Sequence, residues 1–268
     1  MPDLPGLRSL AVLAAREAAA WVASSRPPGR VGVASTKSSP TDVVTDFDTG
    51  AERRLRHRLL GARPDDGILG EEGASAESRS GVVWVVDPID GTVNFVYDHP
   101  CYAVSVAAQV DGESVAGAVV DIRSATTYSA VRGGGALLQP GDGGPERRLR
   151  VPDPPALDQA LVSTGFGYDA AIRSGQAAAV ARLLGQVRDI RRVGAASLDL
   201  CMVASGQVDA YLERGLNEWD RAAGGLVAAE AGAEVVDLEG GRPSARMTMA
   251  AAPALLVALR KVAVECGF

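Results

Sequence analysis

The chain has 268 residues, long enough to bury a core without disulfides or structural metals. Hydrophobic residues make up 47% and charged residues 22%, a globular composition that excludes a disordered chain. A net charge of −6 argues against a nucleic-acid wrapper, and only two histidines, His57 and His99, argue against a His-rich zinc site or a Ser-His-Asp triad. Reactive chemistry, if present, falls to carboxylates.

Leu7, Leu10, Ala14, Ala18 and Trp21 recur at helical spacing and predict a helix over about 6–25. Arg16 and Glu17 interrupt the apolar stretch from Leu10 to Ala23, which speaks against a signal peptide. The turn Pro27-Pro28-Gly29 and the polar stretch from Ser35 to Pro40 follow. A second helix is expected over 46–60, with Leu55, Leu59 and Leu60 buried and His57 on a solvated face. Val82 to Val86 reads as a strand buried on both faces. Residues 103–110, 117–121 and 126–131 read as a meander, and Gly133–Gly135 and Pro140–Pro145 as loops. The second half alternates. Strands are expected at 160–164, 189–193, 208–213, 233–237 and 247–251, and helices at 173–187, 196–204, 219–231 and 254–265. The pattern predicts a layered α/β sandwich, one domain of two joined halves, about 1–150 and 151–268.

Cys101, Cys201 and Cys266 are scattered and odd in number, which fits a reducing cytoplasm. No apolar run is long enough for a bilayer span; the longest, Met249 to Leu259, contains Pro253. A soluble cytoplasmic protein is expected.

The most informative stretch runs from Trp84 to Thr92. A buried strand delivers Asp87 at its carboxyl end, where α/β proteins place ligands. Asp90 follows in a turn, Gly91 permits tight backbone geometry, and Thr92 is placed to cap a short helix through Asn94 and Phe95. Two carboxylates beside a helix N-terminus suit divalent cations and an anion such as phosphate. Asp-Pro and Asp-Gly also form ordinary surface turns, so spacing alone leaves both readings open. Glu71-Glu72, after Ile68-Leu69-Gly70, and Glu218-Trp219-Asp220, before a helix, are further acids at the edges of apolar elements. Either could be merely solvated, or, for Asp220, an ordinary helix cap. If they converge, an oxygen-ligand site for Mg²⁺ is the natural expectation. Gly165-Phe166-Gly167-Tyr168-Asp169-Ala170 matches a permissive dinucleotide fingerprint, but Tyr168 and Asp169 put bulk and charge where pyrophosphate would lie.

Taken together these segments resemble the inositol monophosphatase family of metal-dependent phosphatases, the bacterial inositol-1-monophosphatase branch most of all. The matching pieces are Gly70-Glu71-Glu72, Trp84 through Phe95, and Trp219 through Gly224, supported by Lys37 to Thr45 ahead of Asp48 and by Val193 to Ser197 ahead of Asp199. The resemblance implies an αβαβα sandwich and hydrolysis of inositol 1-phosphate or a similar polyol phosphate. It implies two or three Mg²⁺ ions, inhibition by lithium and a homodimer. Glu71, Asp87 and the carbonyl of Ile89 match ligands of a first cation, and Asp87, Asp90 and Asp220 those of a second. Glu71 also faces a third, weaker position. Thr92 with Asp48 matches the pair that activates water. The Gly91 and Thr92 N–H groups match phosphate contacts. Asp90, Ala196 and Glu213 match contacts to the alcohol, within the motif holding Gly194 and Ala195, and Lys37 matches a basic residue near the phosphate.

Arg221, the Tyr97-Asp98-His99 loop and Asp46 depart from the common family pattern, which puts substrate preference in question rather than the metal centre. Histidinol phosphate, fructose 1,6-bisphosphate and adenosine 3′,5′-bisphosphate are alternative substrates for the same centre. A role in transcription or RNA processing through protein partners is the alternative from another class. A complete carboxylate set favours catalysis, and the acidic balance disfavours direct RNA contact.

Overall fold

A computed structural model of the chain describes residues 2–268. The first helix, α1 (Leu4–Ser25), opens on Asp3, whose carboxylate accepts the Gly6 N–H at 3.1 Å. Its buried stripe is Leu7, Ala11, Ala14, Ala15, Ala18, Ala19 and Val22; Leu7, Ala14 and Ala18 are as expected, while Leu10 and Trp21 flank the stripe half-buried. Strands β1 (Ser35–Thr36) and β2 (Val43–Val44) form a small ladder around a Lys37–Asp42 turn. Helix α2 (Asp46–Ala62) begins with a capping box between Thr45 and Asp48. It buries Ala51, Leu55 and Leu59, whereas Leu60, also expected inside, is only half-buried at the edge of that core.

The larger sheet has eight strands. They are β3 (Gly67–Gly70), β4 (Ser75–Ala76), β5 (Val82–Asp90), β6 (Ala103–Val110), β7 (Glu113–Asp121), β8 (Thr127–Val131), β9 (Gly135–Gln139) and β10 (Arg147–Arg148). Their order is β10-β9-β8-β7-β6-β5-β3-β4, antiparallel except for the parallel β3–β5 pair. The short helix α3 (Thr92–Tyr97) leaves the end of β5. The second half builds β11 (Leu161–Thr164), α4 (Ala170–Leu183), β12 (Asp189–Arg191), α5 (Ala196–Ser205), β13 (Ala210–Glu213), α6 (Glu218–Glu230), β14 (Glu234–Val236), β15 (Thr248–Ala251) and α7 (Pro253–Cys266). These five strands order as β12-β11-β13-β15-β14, with β11 parallel to both its neighbours.

The buried clusters define the layers. Leu7, Leu55 and Leu59 of α1 and α2 pack on Trp84, Val86, Val104 and Val106, one face of the large sheet. Val85, Ala107 and Val119, on the opposite face, meet Leu198, Cys201, Ala223 and Val227 of α5 and α6. The far side of those helices, through Leu200, Val203 and Ala228, packs on Tyr211 and Ala250 of the smaller sheet. Leu183 of α4 and Leu255, Leu256 and Leu259 of α7 cover that sheet's other face against Val162, Leu212 and Met249. The architecture is therefore the five-layered αβαβα sandwich expected from the sequence. It explains why the Val82–Val86 run is apolar without alternation: helices cover both faces of β5. No helix among the described residues is long and apolar enough to cross a membrane.

Three local expectations are corrected. Gly135 opens β9 rather than belonging to a loop; its φ of +86° starts a hairpin return that pairs Gly135 with Val131. The helix expected over 173–187 runs instead from Ala170 to Leu183, because Asp169 caps it by accepting the Ala171 and Ile172 N–H groups at 2.8 and 3.1 Å. Thr92 does not cap α3: Gly91 occupies the cap position at φ +91°, and the threonine hydroxyl is used elsewhere.

The central helices approach closely through small residues. A Cβ on Gly224 of α6 would stand 2.7 Å from the Ser197 carbonyl oxygen and 3.0 Å from the Leu200 Cβ of α5. Gly224→Ala is expected to force the two helices apart and to destabilise the fold by about 1–3 kcal/mol. A lower urea midpoint at unchanged m-value is the expected result, and an unchanged midpoint would refute close packing there.

Candidate active site

The site begins where β5 loses its register. Asp87 still pairs opposite Ser105, but Asp90 pairs opposite Ala103, so the ladder is irregular between them. Pro88 brings no N–H to that ladder. The Asp87 carboxylate accepts the Ile89 N–H at 3.0 Å. Gly91 then turns the chain through a conformation that L side chains rarely adopt. A Cβ there would also meet the carbonyl oxygens of Cys101 and Gly194 at 3.0 and 3.1 Å. Both arguments demand glycine at this position.

Asp90 reaches across to the start of α5. It accepts the Ala196 and Ser197 N–H groups at 3.2 and 2.7 Å and the Ser197 hydroxyl at 2.5 Å. Gly194, at φ +93°, and Ala195, which precedes the helix, bring that N-terminus to the aspartate. The strand end of one sheet and the helix between the sheets are thereby tied together.

The remaining acids arrive from three other elements. Glu71 and Glu72 follow β3, and Lys37 from the β1–β2 turn donates to both, at 2.9 and 2.6 Å. Asp220 lies in the first turn of α6, where it completes a capping box by accepting the Asn217 N–H at 2.6 Å. The cap itself is Asn217, not Asp220. Asp48 is fully buried. One of its carboxylate oxygens accepts the Thr45 N–H and hydroxyl at 2.7 and 2.5 Å. The other faces the Thr92 hydroxyl at 3.1 Å, which also lies 3.0 Å from the Ile89 carbonyl. One hydroxyl proton serves only one of these acceptors at a time. Glu213, at the end of β13, accepts the Tyr211 hydroxyl at 2.7 Å.

Electrostatically these carboxyl groups form one cluster. Burial pushes Asp87 well above the usual carboxylate range, and Glu71, Asp90 and Asp220 push it further. Burial, then Asp90 and Glu71, raise Asp220 as well. Glu71 is raised by burial against the opposing pull of Lys37, and its carboxyl lies within hydrogen-bonding reach of Asp87. Burial raises Asp48 to about 6 and Glu213 to about 7, and it outweighs the donors that oppose it. Several of these oxygens keep lone pairs with no donor, since backbone N–H groups satisfy Asp87 and Asp220 only once each.

An all-oxygen donor set with surplus negative charge fits a hard divalent cation and offers nothing soft to zinc. Among the described residues, no three His, Cys, Asp or Glu side chains are already drawn together as a finished ion cage.

Every acid expected from the sequence thus reaches the cluster or its rim. Asp46 is exposed on the first turn of α2, and His57 and His99 are exposed too. Sequence reading missed several supporting residues. Glu52, almost fully buried, accepts the Glu72 and Ala74 N–H groups, both at 2.8 Å, and so holds the Glu71 loop. Its signal was a buried acid one helical turn after Asp48. The Asn94 amide donates to the carbonyls of Cys101 and Val193 at 2.8 and 2.9 Å, joining α3 to the approach to α5. Thr45 and Ser197 act through hydroxyls that no spacing rule singles out.

A five-layered sandwich with oxygen-bearing acids gathered where β5 ends suits a hydrolase of phosphate monoesters that works with divalent cations. Residues 3–265 match the Inositol monophosphatase family, and the chain belongs to it. The chain is 51% identical over 243 residues to the Inositol-1-monophosphatase SuhB of Mycobacterium tuberculosis, covering 86% of this chain and 83% of that one. The structure titled Mycobacterium tuberculosis SuhB superposes with a TM-score of 0.85 at 46% identity, covering 100% of this chain and 99% of that one. A Pasteurella multocida relative named Nus factor SuhB is 37% identical over 235 residues, covering 87% of this chain and 85% of its own length.

Removing one repelling charge should stabilise the cation-free protein. Asp87→Asn is expected to raise the Tm in chelator by about 2–4 °C, the shift that roughly 1 kcal/mol gives in a chain of this size. Added Mg²⁺ should raise the wild-type Tm and leave the variant nearly unmoved. A variant less stable than wild type in chelator would refute the repulsive cluster.

Proposed function

We propose that the protein hydrolyses inositol 1-phosphate to inositol and inorganic phosphate in the cytoplasm, as a homodimer, with two or three Mg²⁺ ions per site. The observation that carries this reading is the mutual electrostatic influence of Glu71, Asp87, Asp90 and Asp220, acids that arrive from separate elements, together with the Thr92 hydroxyl against Asp48. In this reading Glu71, Asp87 and the Ile89 carbonyl hold one cation, and Asp87, Asp90 and Asp220 a second. A third, weaker position lies at Glu71. Bound Mg²⁺ supplies charge that clamps the phosphoryl oxygens, acidifies a water and stabilises the departing alkoxide.

The chain's own residues supply orientation and proton transfer. Thr92, donating to Asp48 or to the Ile89 carbonyl, aligns the attacking water by its oxygen. Asp48 takes that water's proton through the Thr92 hydroxyl. The carboxylate oxygen on that side is the one that Thr45 leaves free. The Gly91 and Thr92 N–H groups orient the phosphate. Lys37 steadies Glu71 and draws the anionic substrate to the rim. Asp90, Ala196 and Glu213 contact the alcohol beside the Gly194–Ala195 turn. Li⁺ is expected to inhibit by competing for one of the cation positions.

Two outcomes follow from these roles. Asp90→Asn and Asp220→Asn should each lower phosphate release from inositol 1-phosphate by at least about 100-fold, as loss of several kcal/mol of transition-state stabilisation requires. Full activity in both variants would end the assignment. A panel that adds histidinol phosphate, fructose 1,6-bisphosphate and adenosine 3′,5′-bisphosphate ranks the substrates by kcat/KM.

The second outcome concerns pH. Asp48 accepts a proton only when ionised, so kcat should rise with pH through about 6. The sign for stability is opposite. A carboxyl raised from 3.8 to about 6 favours the folded state below its unfolded value, and this contribution is lost as pH rises through 6. A flat kcat profile between pH 5 and about 7 would remove Asp48 from the proton path.

A further inference from the structure

The smaller sheet places three parallel strands side by side, β12-β11-β13. Their carboxyl ends share one edge, the edge where open α/β sheets receive ligands. A polar residue stands at or just past each end. Strand β13 ends in Glu213, β11 runs into the turn Gly165 to Tyr168, and β12 is followed by Arg192. The turn after β11 touches Glu213 directly: a Cβ on Gly165 would stand 2.0 Å from a Glu213 carboxylate oxygen, so only glycine leaves room for that carboxylate.

Tyr168 is fixed by its backbone and free at its tip. Its carbonyl accepts the Ser39 and Thr41 hydroxyls at 3.2 and 2.8 Å and the Arg173 guanidinium at 2.6 Å. These bonds fasten the turn to the loop that also carries Lys37. The side chain is 40% exposed, and its hydroxyl has no hydrogen-bond partner among the described residues. Partial burial, then the charges of Asp90, Glu71, Asp42 and Asp220, push its pKa up, so the phenol stays a proton donor within their field.

Arg192 is exposed and, like Tyr168, free at its tip. Its guanidinium lies against Gly194, where a Cβ would come 2.2 Å from Nη1. It makes no hydrogen bond or ion pair among the described residues. Yet its charge acts on Asp90, Asp199 and Glu213 together. Its five N–H donors thus stand near the cluster, open to solvent and without a protein acceptor. Three nearby acids make this a poor place for a second phosphate. Neutral hydroxyl groups suit it better, since they can accept from Arg192 and Tyr168 while donating to Glu213.

We propose that Arg192 and Tyr168 are specificity-determining residues which, with Glu213, grip neighbouring hydroxyl groups on the alcohol part of the phosphate ester. This subsite rests on the phosphatase reading above and selects polyol phosphates over esters of simple alcohols or phenols. The test uses the full chain with Mg²⁺, comparing wild type, Arg192→Gln and Tyr168→Phe on myo-inositol 1-phosphate and on 4-nitrophenyl phosphate, which lacks hydroxyl groups. The ratio of the two kcat/KM values is expected to fall about tenfold in Arg192→Gln and several-fold in Tyr168→Phe, carried mainly by KM for the inositol ester. Equal losses on both substrates, or an unchanged ratio in both variants, overturn the subsite. A fall in particle mass by light scattering together with equal losses would assign Arg192 to subunit contact instead. Wild type that cleaves the nitrophenyl ester but not the inositol ester also overturns it, whereas wild type that cleaves neither overturns the phosphatase reading itself.

Discussion

The structure depends on holding like charges together inside a protein. Asp87 is almost completely removed from water, and Glu71, Asp90 and Asp220 bear on it at close range. Such a group is costly in isolation, because burial and repulsion both oppose ionisation. The fold offsets this with fixed dipoles. The start of α5 donates two backbone N–H groups and a hydroxyl to Asp90, and the start of α6 donates one N–H to Asp220. Helix N-termini favour negative charge, so two helices of the middle layer bring their positive ends to Asp90 and Asp220. The surplus charge that remains is what a divalent cation and an anionic ester would together balance.

That middle layer has a double task. Helices α5 and α6 close the cores of both sheets, and their first turns also supply Ser197, Asn217 and Asp220 to the site. Small residues make this possible. Gly224 and the alanines around it let the helices approach until a single added methyl group would collide with Ser197. The scarcity of aromatic side chains and the abundance of alanine suit a five-layered sandwich. Its layers are thin, and each central element is buried on two faces. Packing and chemistry are coupled here, since a shift of α5 moves the donors of Asp90.

A supporting shell holds the acids that no helix end steadies. Glu52 fixes the Glu71 loop through two backbone N–H groups, and Lys37 bridges Glu71 and Glu72. Thr45 occupies one oxygen of Asp48 and so leaves the other directed at Thr92. The loop from Ser39 to Thr41 fastens to Tyr168. The contact between residues 39 and 168 joins a loop of the first half of the chain to one of the second. The alcohol side of the site is therefore defined by both halves of the chain.

Much of this was legible in the residues themselves. The unbroken apolar run before Asp87 announced a doubly covered strand, and alternating elements announced the layers. The acids at strand ends and the near absence of histidine pointed to oxygen-ligand chemistry. These features are local or periodic, and so a linear string can carry them. Spacing alone could not say that Glu71, Asp90 and Asp220 meet, because their separate turns each had an ordinary reading; only the resemblance of the motifs implied it. It also hid Glu52, Thr45, Asn94 and Ser197, whose roles consist of single hydrogen bonds to distant backbone atoms. Nor did it distinguish Arg192 and Tyr168 from any other exposed arginine or tyrosine. Their partnerless tips gain meaning only because β12, β11 and β13 lie side by side and end on one edge. The sequence by itself determined the elements and the kind of ligand that its acids suit. The tertiary structure alone decided which of those acids share a field, because charge interactions depend on distance through space and not along the chain.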